Sequence, residues 1–277
     1  MSPICFTLRE PLRFEVNISI LNPSRLKGKN KKQIGKMKLS LAGKQVEVSS
    51  LFSISGTDTT KIRIKNCSEK LTHIGCEMEE GQIYLSGNAG DFLGRAMSGG
   101  YIELSGNSGD FTGASMTGGK IEVLGDAGNF IGAAATGEVT GMNEGTIIIH
   151  GNAGTRAGDR MRRGMIVIFG NVGDYCASNM LAGTIIILGK TGAYIGFNMK
   201  RGTLILARKP RQVLSTFSNC GLLKIEFLRL LFKQLAQSCK QFEVFSCIGP
   251  EAIRFAGDNS VNGMGEILIL KNARIQR

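Results

Sequence analysis

The chain has 277 residues, a formal net charge of +12, 38 glycines, no tryptophan and 6% aromatic residues against 42% hydrophobic content. That is ample for a buried core, but the glycine excess departs from an ordinary globular mix. No apolar run reaches membrane-spanning length, and the opening MSPICFTLREPLRF lacks the basic start, apolar core and cleavage site of a signal peptide, so a cytoplasmic protein is expected.

The charge favours an acidic partner: nucleic acid, an anionic cofactor or a protein surface. Seven cysteines, at 5, 67, 76, 176, 220, 239 and 247, form no CxxC pair and no metal-finger spacing. They are expected to be reduced thiols, several of them core fillers, and no metal site is expected from this chain alone.

Residues 1–60 fall outside any repeat and are expected to be a capping or docking segment. ICFTLREPLRFEVNISI alternates apolar positions as pairing strands do, and VSSLFSISG is strand-like. Between them, Ser24 to Val48 is the most basic part, expected to hold a short helix around Ile34 and Met37 and to be either solvated or laid on an acidic neighbour. Nucleic acid is the weaker partner, because no aromatics interleave the lysines and no helix-turn-helix or zinc motif is present.

From Gly81 to about Pro210 the chain repeats. Placing Gly81, Gly100, Gly119, Gly145, Gly164, Gly183 and Gly202 in register gives steps of 19, 19, 26, 19, 19 and 19 residues, with one unit reading GQIYLSGNAGDFLGRAMSG. Ladders follow at Ile83, Ile102, Ile121, Ile147, Ile166, Ile185 and Leu204, again two residues later, and at the methionines from Met97 to Met199. The long step is one insertion between Gly132 and Met142. A short fixed period containing a two-residue apolar alternation argues for an all-β fold: a right-handed parallel β-helix of 19-residue coils over residues 61–210, Ile and Leu facing inward. KIRIKNCSEKLTHIGCEM is expected to be a degenerate first coil, with Ile64, Gly75 and Met78 at the Ile, Gly and Met positions.

The outward positions change along the repeat, from Tyr84, Glu103 and Glu122 to Ile148, Val167, Ile186 and Ile205. An apolar outer face needs a cover, either the chain's own tail or a partner protein. Residues 211–277 offer an amphipathic helix from Cys220 to Lys240, with a polar stripe of Glu226, Arg229, Lys233, Gln237 and Lys240, followed by two short strands. GTRAGDRMRRG is the other irregularity: Arg156 stands where neighbouring coils carry Phe or Tyr, and Arg160, Arg162 and Arg163 follow. These four arginines are the candidate cofactor-binding or partner-contact residues, since guanidinium forks suit carboxylates and phosphates.

No catalytic residue is expected. His73 and His150 are isolated, and Asp91, Asp110 and Asp174 stand where a corner needs a turn residue. The recurring GNAGDFLG strings lack the Lys-Ser/Thr ending of a phosphate loop.

The repeat resembles the glycine-repeat β-helix domain found at the C-terminus of the glutamate synthase large subunit and as the C subunit of formylmethanofuran dehydrogenase. EFLRLLF and RFAGDNSVNGMGEIL in the tail are similar to the corresponding subunit of the bacterial formyltransferase/hydrolase complex. The resemblance implies a non-catalytic scaffold in a hetero-oligomer that passes formyl from tetrahydromethanopterin to a methanofuran-type cofactor and hydrolyses it to formate. It also implies that partner subunits, not this chain, hold the cofactor and the metal. The same subunit of a molybdenum or tungsten formylmethanofuran dehydrogenase is the alternative, and a stand-alone β-helix enzyme acting on an acidic polysaccharide the second.

Overall fold

A computed structural model describes residues 2–238 and 248–271. The N-terminal segment holds β1 (Pro3–Leu8), β2 (Val16–Asn17), the short helices α1 (Pro23–Leu26) and α2 (Lys31–Gly35), a hairpin of β3 (Lys38–Leu41) and β4 (Lys44–Glu47), α3 (Val48–Leu51) and β5 (Phe52–Ser55). The repeat supplies β6 (Asp58–Cys67), β7 (Leu71–Thr72), β8 (Gln82–Gly87), β9 (Tyr101–Leu104), β10 (Lys120–Val123), β11 (Asn143–Ile149), β12 (Arg163–Ile168), β13 (Thr184–Ile187) and β14 (Thr203–Leu206). After these come β15 (Ser218–Lys224), α4 (Glu226–Ser238), β16 (Glu251–Gly257) and β17 (Gly265–Leu270).

Thirteen strands form one mainly parallel sheet in the order β15-β16-β17-β14-β13-β12-β11-β10-β9-β8-β6-β1-β5. The register follows the repeat: Ile83 pairs with Ile102, Ile102 with Ile121, Ile121 with Ile147 across the insertion, and so on to Leu204. Each period also adds one bridge to a second parallel row, Ala89, Ser108, Ala127, Ala153, Val172 and Thr191. The Ile ladder and the Met97 to Met199 ladder are fully buried in one continuous core.

Corners are held by side chains that copy the backbone pattern of the strands. Asn88 Oδ1 accepts from Asn107 N–H at 3.0 Å, Asn107 Oδ1 from Asp126 N–H at 2.8 Å, and Asn152 Oδ1 from Asn171 N–H at 2.9 Å. The Asp91 column works in the same way, Asp91 Oδ1 accepting from Asp110 N–H at 2.8 Å and Asp174 Oδ1 from Ala193 N–H at 2.7 Å. These carboxylates are therefore turn residues, as expected. Gly113 shows why the corner needs glycine: its φ is +65°, and a Cβ there would lie 2.3 Å from Ile147 Cδ1.

Three expectations change. Ile64 pairs with Leu85 and Ile62 with Ile83, so the first period is longer than 19 residues and is brought back into step after Asn66 takes left-handed backbone (φ 57°). The slip is two residues, which preserves strand parity, and Ile64 stays buried. VSSLFSISG divides into α3 and β5 instead of forming one strand. The helix expected from Cys220 begins at Glu226, because Leu222 and Leu223 pair with Ile253 and Ala252, so tertiary pairing overrides helical periodicity. Lys240, Cys239 and Cys247 lie outside the described residues.

The apolar outer face is covered by the chain itself. Ile148, Val167, Ile186 and Ile205 are buried against Leu228, Phe232 and Leu235 of α4 and Leu268 of β17. Cys67, Cys76 and Cys176 are buried fillers, and burial pushes the Cys67 and Cys176 thiols up to about 12. Among the described residues no helix is long and apolar enough to cross a membrane.

Ile166 sits at the centre of the inward ladder, paired with Ile147 and Ile185 and fully buried. Ile166→Asp places an unpaired charge there and is expected to cost several (~3–5) kcal/mol, enough to unfold or aggregate the protein. A soluble variant with an unchanged Tm would contradict this register.

Candidate functional site

The corner that carries the arginines is built from left-handed backbone. In most periods three alternate residues have φ near +60°, as at Phe111, Gly113 and Ser115 or at Arg156, Gly158 and Arg160. A bulky residue in that region costs about 1 kcal/mol or more. Here the cost is offset by hydrogen bonds to the next period: Phe92 N–H to the Asp110 carbonyl, Arg156 N–H to Asp174 and Tyr175 N–H to Ala193, at 2.8–2.9 Å. Ring stacking adds to it, for His73, Phe92, Phe111 and Phe130 lie in one column with centroids 4.7–5.0 Å apart, and Tyr175 stacks on Tyr194 at 4.9 Å.

Arg156 occupies the rung between Phe130 and Tyr175, its guanidinium 4.8 Å from the Tyr175 ring centroid. A planar cation continues the column without a ring. Asp159, buried at 8% exposure, lies 3.7 Å from both Arg156 Nη1 and Arg160 Nε, and accepts from Ser178 Oγ and Asn179 Nδ2. Arg160 also donates to the Glu138 carbonyl in the insertion, whose carboxylate takes Arg95 at 2.8 Å and Ser115. Arg163 reaches Glu144 at 3.7 Å between two exposed side chains, and Arg162 is exposed. The structure thus brings Arg156 and Arg160 together around one buried carboxylate and places Arg162 and Arg163 past Met161, at the start of β12.

A polar cluster that sequence reasoning missed sits on the outer face. Glu122, 6% exposed, meets His150 Nε2 and Lys120 Nζ at 2.9 Å each, and Tyr101 Oη shares its single proton between Glu122 at 3.0 Å and Glu103 at 2.8 Å. The His150 hydrogen bond, helped by Lys120 and Tyr101 and opposed by burial, holds the Glu122 carboxyl down at about 2. Burial and the two acceptors push the Tyr101 phenol up. The available signal was Glu103 directly opposite Glu122, an acid pair that strands tolerate only where donors intervene. His73, by contrast, caps the aromatic column. Among the described residues no three His, Cys, Asp or Glu side chains are grouped as a metal site.

Clefts among the described residues also lie elsewhere. One of about 740 Å³ is lined by Asp174, Thr191, Tyr194 and Arg211, and another of about 710 Å³ by α2 and β5.

The family model described as the GXGXG motif matches residues 31–241. The chain is 32% identical to one chain in the crystal structure of the formyltransferase/hydrolase complex (FhcABCD) from Methylorubrum extorquens in complex with methylofuran. That likeness covers 97% of this chain and 100% of the other, at a TM-score of 0.88. Two proteins from Methanococcus maripaludis, each the C subunit of a tungsten-containing formylmethanofuran dehydrogenase 2, are 29% and 28% identical over 95 and 96 residues. The matched stretch spans about a third of those relatives, 35% of their length, and 34% of this chain.

The Glu122 cluster carries a stability prediction. Its carboxyl falls from 4.5 to about 2 on folding, so its contribution is complete above pH 4.5 and is lost as pH falls through 2. Glu122→Gln should flatten the pH dependence of urea unfolding in that window by roughly 2–3 kcal/mol. An unchanged slope would mean that the three donors do not hold the carboxylate in solution.

Proposed function

This chain belongs to the GXGXG motif family, and from that premise we propose that it is a non-catalytic structural subunit of a formyltransferase/hydrolase complex. The observation that carries the reading is the match to a chain of such a complex along the whole of that chain, at 32% identity. In this reading the cofactor and the metal are held by partner subunits. The chain's part is rigidity: a stack whose corner columns and core ladders keep docking surfaces at set positions.

We propose also that each 19-residue period closes one coil of a right-handed parallel β-helix over residues 61–210, with 1–60 as a cap and 211–277 as a packed tail. Two parallel rows per period support this, and parallel crossovers are right-handed in nearly all proteins. The arginine corner is assigned to contact. Arg160, Arg162 and Arg163 are exposed around a rigid turn, and a chain of +12 complements acidic neighbours.

Native purification followed by mass spectrometry tests the complex. Transferase and hydrolase subunits are expected to co-purify, and the isolated chain to turn over no formyl substrate; a chain that purifies alone and hydrolyses formylmethanofuran would overturn the reading. The tungsten relatives support a second one, the equivalent structural subunit of a formylmethanofuran dehydrogenase. Metal analysis of the same preparation separates the two, tungsten or molybdenum marking the second.

Replacing Arg156, Arg160, Arg162 and Arg163 together with Gln should weaken assembly or cofactor retention, more at low salt than at high, where screening already weakens the wild-type attraction. Complex yield and bound cofactor equal to wild type at both ionic strengths would leave the corner as solvated surface.

A further inference from the structure

Part of the basic N-terminal segment pairs with its own chain. Arg25 and Lys27 lie on Glu77 and Glu80 at 2.5 and 2.6 Å, but the lysines of α2 do not share this arrangement. Asn30 caps α2 through a reciprocal bond with Gln33, and buried Ile34 and Gly35 seat the helix against α3, where a Cβ on Gly35 would meet Ser49 Cβ at 3.4 Å. That close approach turns Lys31, Lys32 and Lys36 toward a cleft of about 710 Å³ shared with Arg9. Its one acid, Glu47, is already taken by Lys38 at 3.3 Å and by Ser49 Oγ. Among the described residues none of the four cleft cations is ion-paired, and all four are exposed.

The opposite wall of the cleft is β5, contributing Phe52, Ser53 and Ile54. This is the last strand of the thirteen-stranded sheet and pairs only with β1, so half of its backbone donors and acceptors face away from the sheet. Ile54 is half-buried and Ser53 exposed. An open strand edge is complementary to an extended peptide backbone, and four unpaired cations beside it select carboxylates.

We propose that the cleft between α2 and β5 binds an extended, acidic peptide segment of a partner protein, which adds to the sheet alongside β5. Lys31, Lys32, Lys36 and Arg9 take its carboxylates, and alternate apolar side chains rest on Ile54. The four residues of β5 span roughly 14 Å, so the paired part of the ligand is about four to six residues. The proposal concerns a different surface from the arginine corner and stands whether or not the subunit reading holds.

The test uses the 277-residue chain and a fluorescent peptide of alternating Glu and Val about ten residues long, followed by anisotropy. Binding is expected, weakening at least about tenfold when Glu is replaced by Gln and again when alternate peptide nitrogens are methylated, because each change removes one of the two recognition elements. Lys31→Glu, Lys32→Glu and Lys36→Glu together should lower affinity by at least a similar, roughly tenfold factor with an unchanged melting curve. Equal binding of the Gln peptide, indifference to N-methylation, or a triple variant that binds as wild type would overturn the proposal. So would a single-stranded oligonucleotide that binds more tightly than the acidic peptide, since the cleft would then be reading phosphate. The peptide comparisons need no variant and remain decisive if the triple variant fails to fold.

Discussion

Everything in this molecule depends on how sharply the chain turns at one corner of each period. Alternate residues there take left-handed backbone, and that conformation is tolerable because neighbouring periods accept their N–H groups: Phe111 and Ser115 donate to Asn129 and Ala133 of the next period, and Gly113 between them to Leu93 of the preceding one. The corner is therefore not locally stable. It exists because its neighbours repeat it, so the repeat must be kept in step over the entire length. The insertion obeys the same constraint. Met142 N–H donates to the Gly132 carbonyl at 2.8 Å, so the extra residues leave and return within one corner and the sheet register passes beneath them undisturbed.

The rung occupied by Arg156 shows how a charged side chain can be introduced into such a column. Neighbouring rungs bury ring faces against one another, and a guanidinium placed over Tyr175 preserves the spacing while bringing charge to the surface. Asp159 then becomes necessary on one side, buried and held by Ser178 and Asn179. A lysine would keep the charge but lose the planar contact.

Much of this was legible because a 19-residue period reports neighbours directly: any residue and its counterpart one period on are adjacent. The inward Ile and Met ladders, the Asn and Asp columns and the apolar outer face followed from that rule. What it could not reach lies where the rule stops applying. Ile64 precedes the regular steps, so its two-residue slip left no mark on the ladders. Cys220 to Lys224 fit a helical stripe as well as a strand, and only the partner strand β16 decides between them. Lys31, Lys32 and Lys36 looked like a solvated run because Arg9 and β5, which complete their cleft, are distant in sequence. The Glu122 cluster was visible in outline, since Lys120, Tyr101 and Glu103 occupy adjacent rungs, but His150 enters it only across the insertion.

The two ends of the large sheet differ from its middle. β5 is the last strand at one end and the pair β16–β15 lies at the other, each running antiparallel to its neighbour, while β1, β6, β8 to β14 and β17 are mutually parallel. A reversed strand does not offer the pattern that another 19-residue period would need, so length can change only between the ends. Gene duplication of a single period would then act as an extra course in a wall, separating the two finished ends by about 4.8 Å while leaving each intact. The spacing between whatever binds at the two ends is thus a counted quantity, adjustable in steps of one strand and insensitive to drift in any individual side chain.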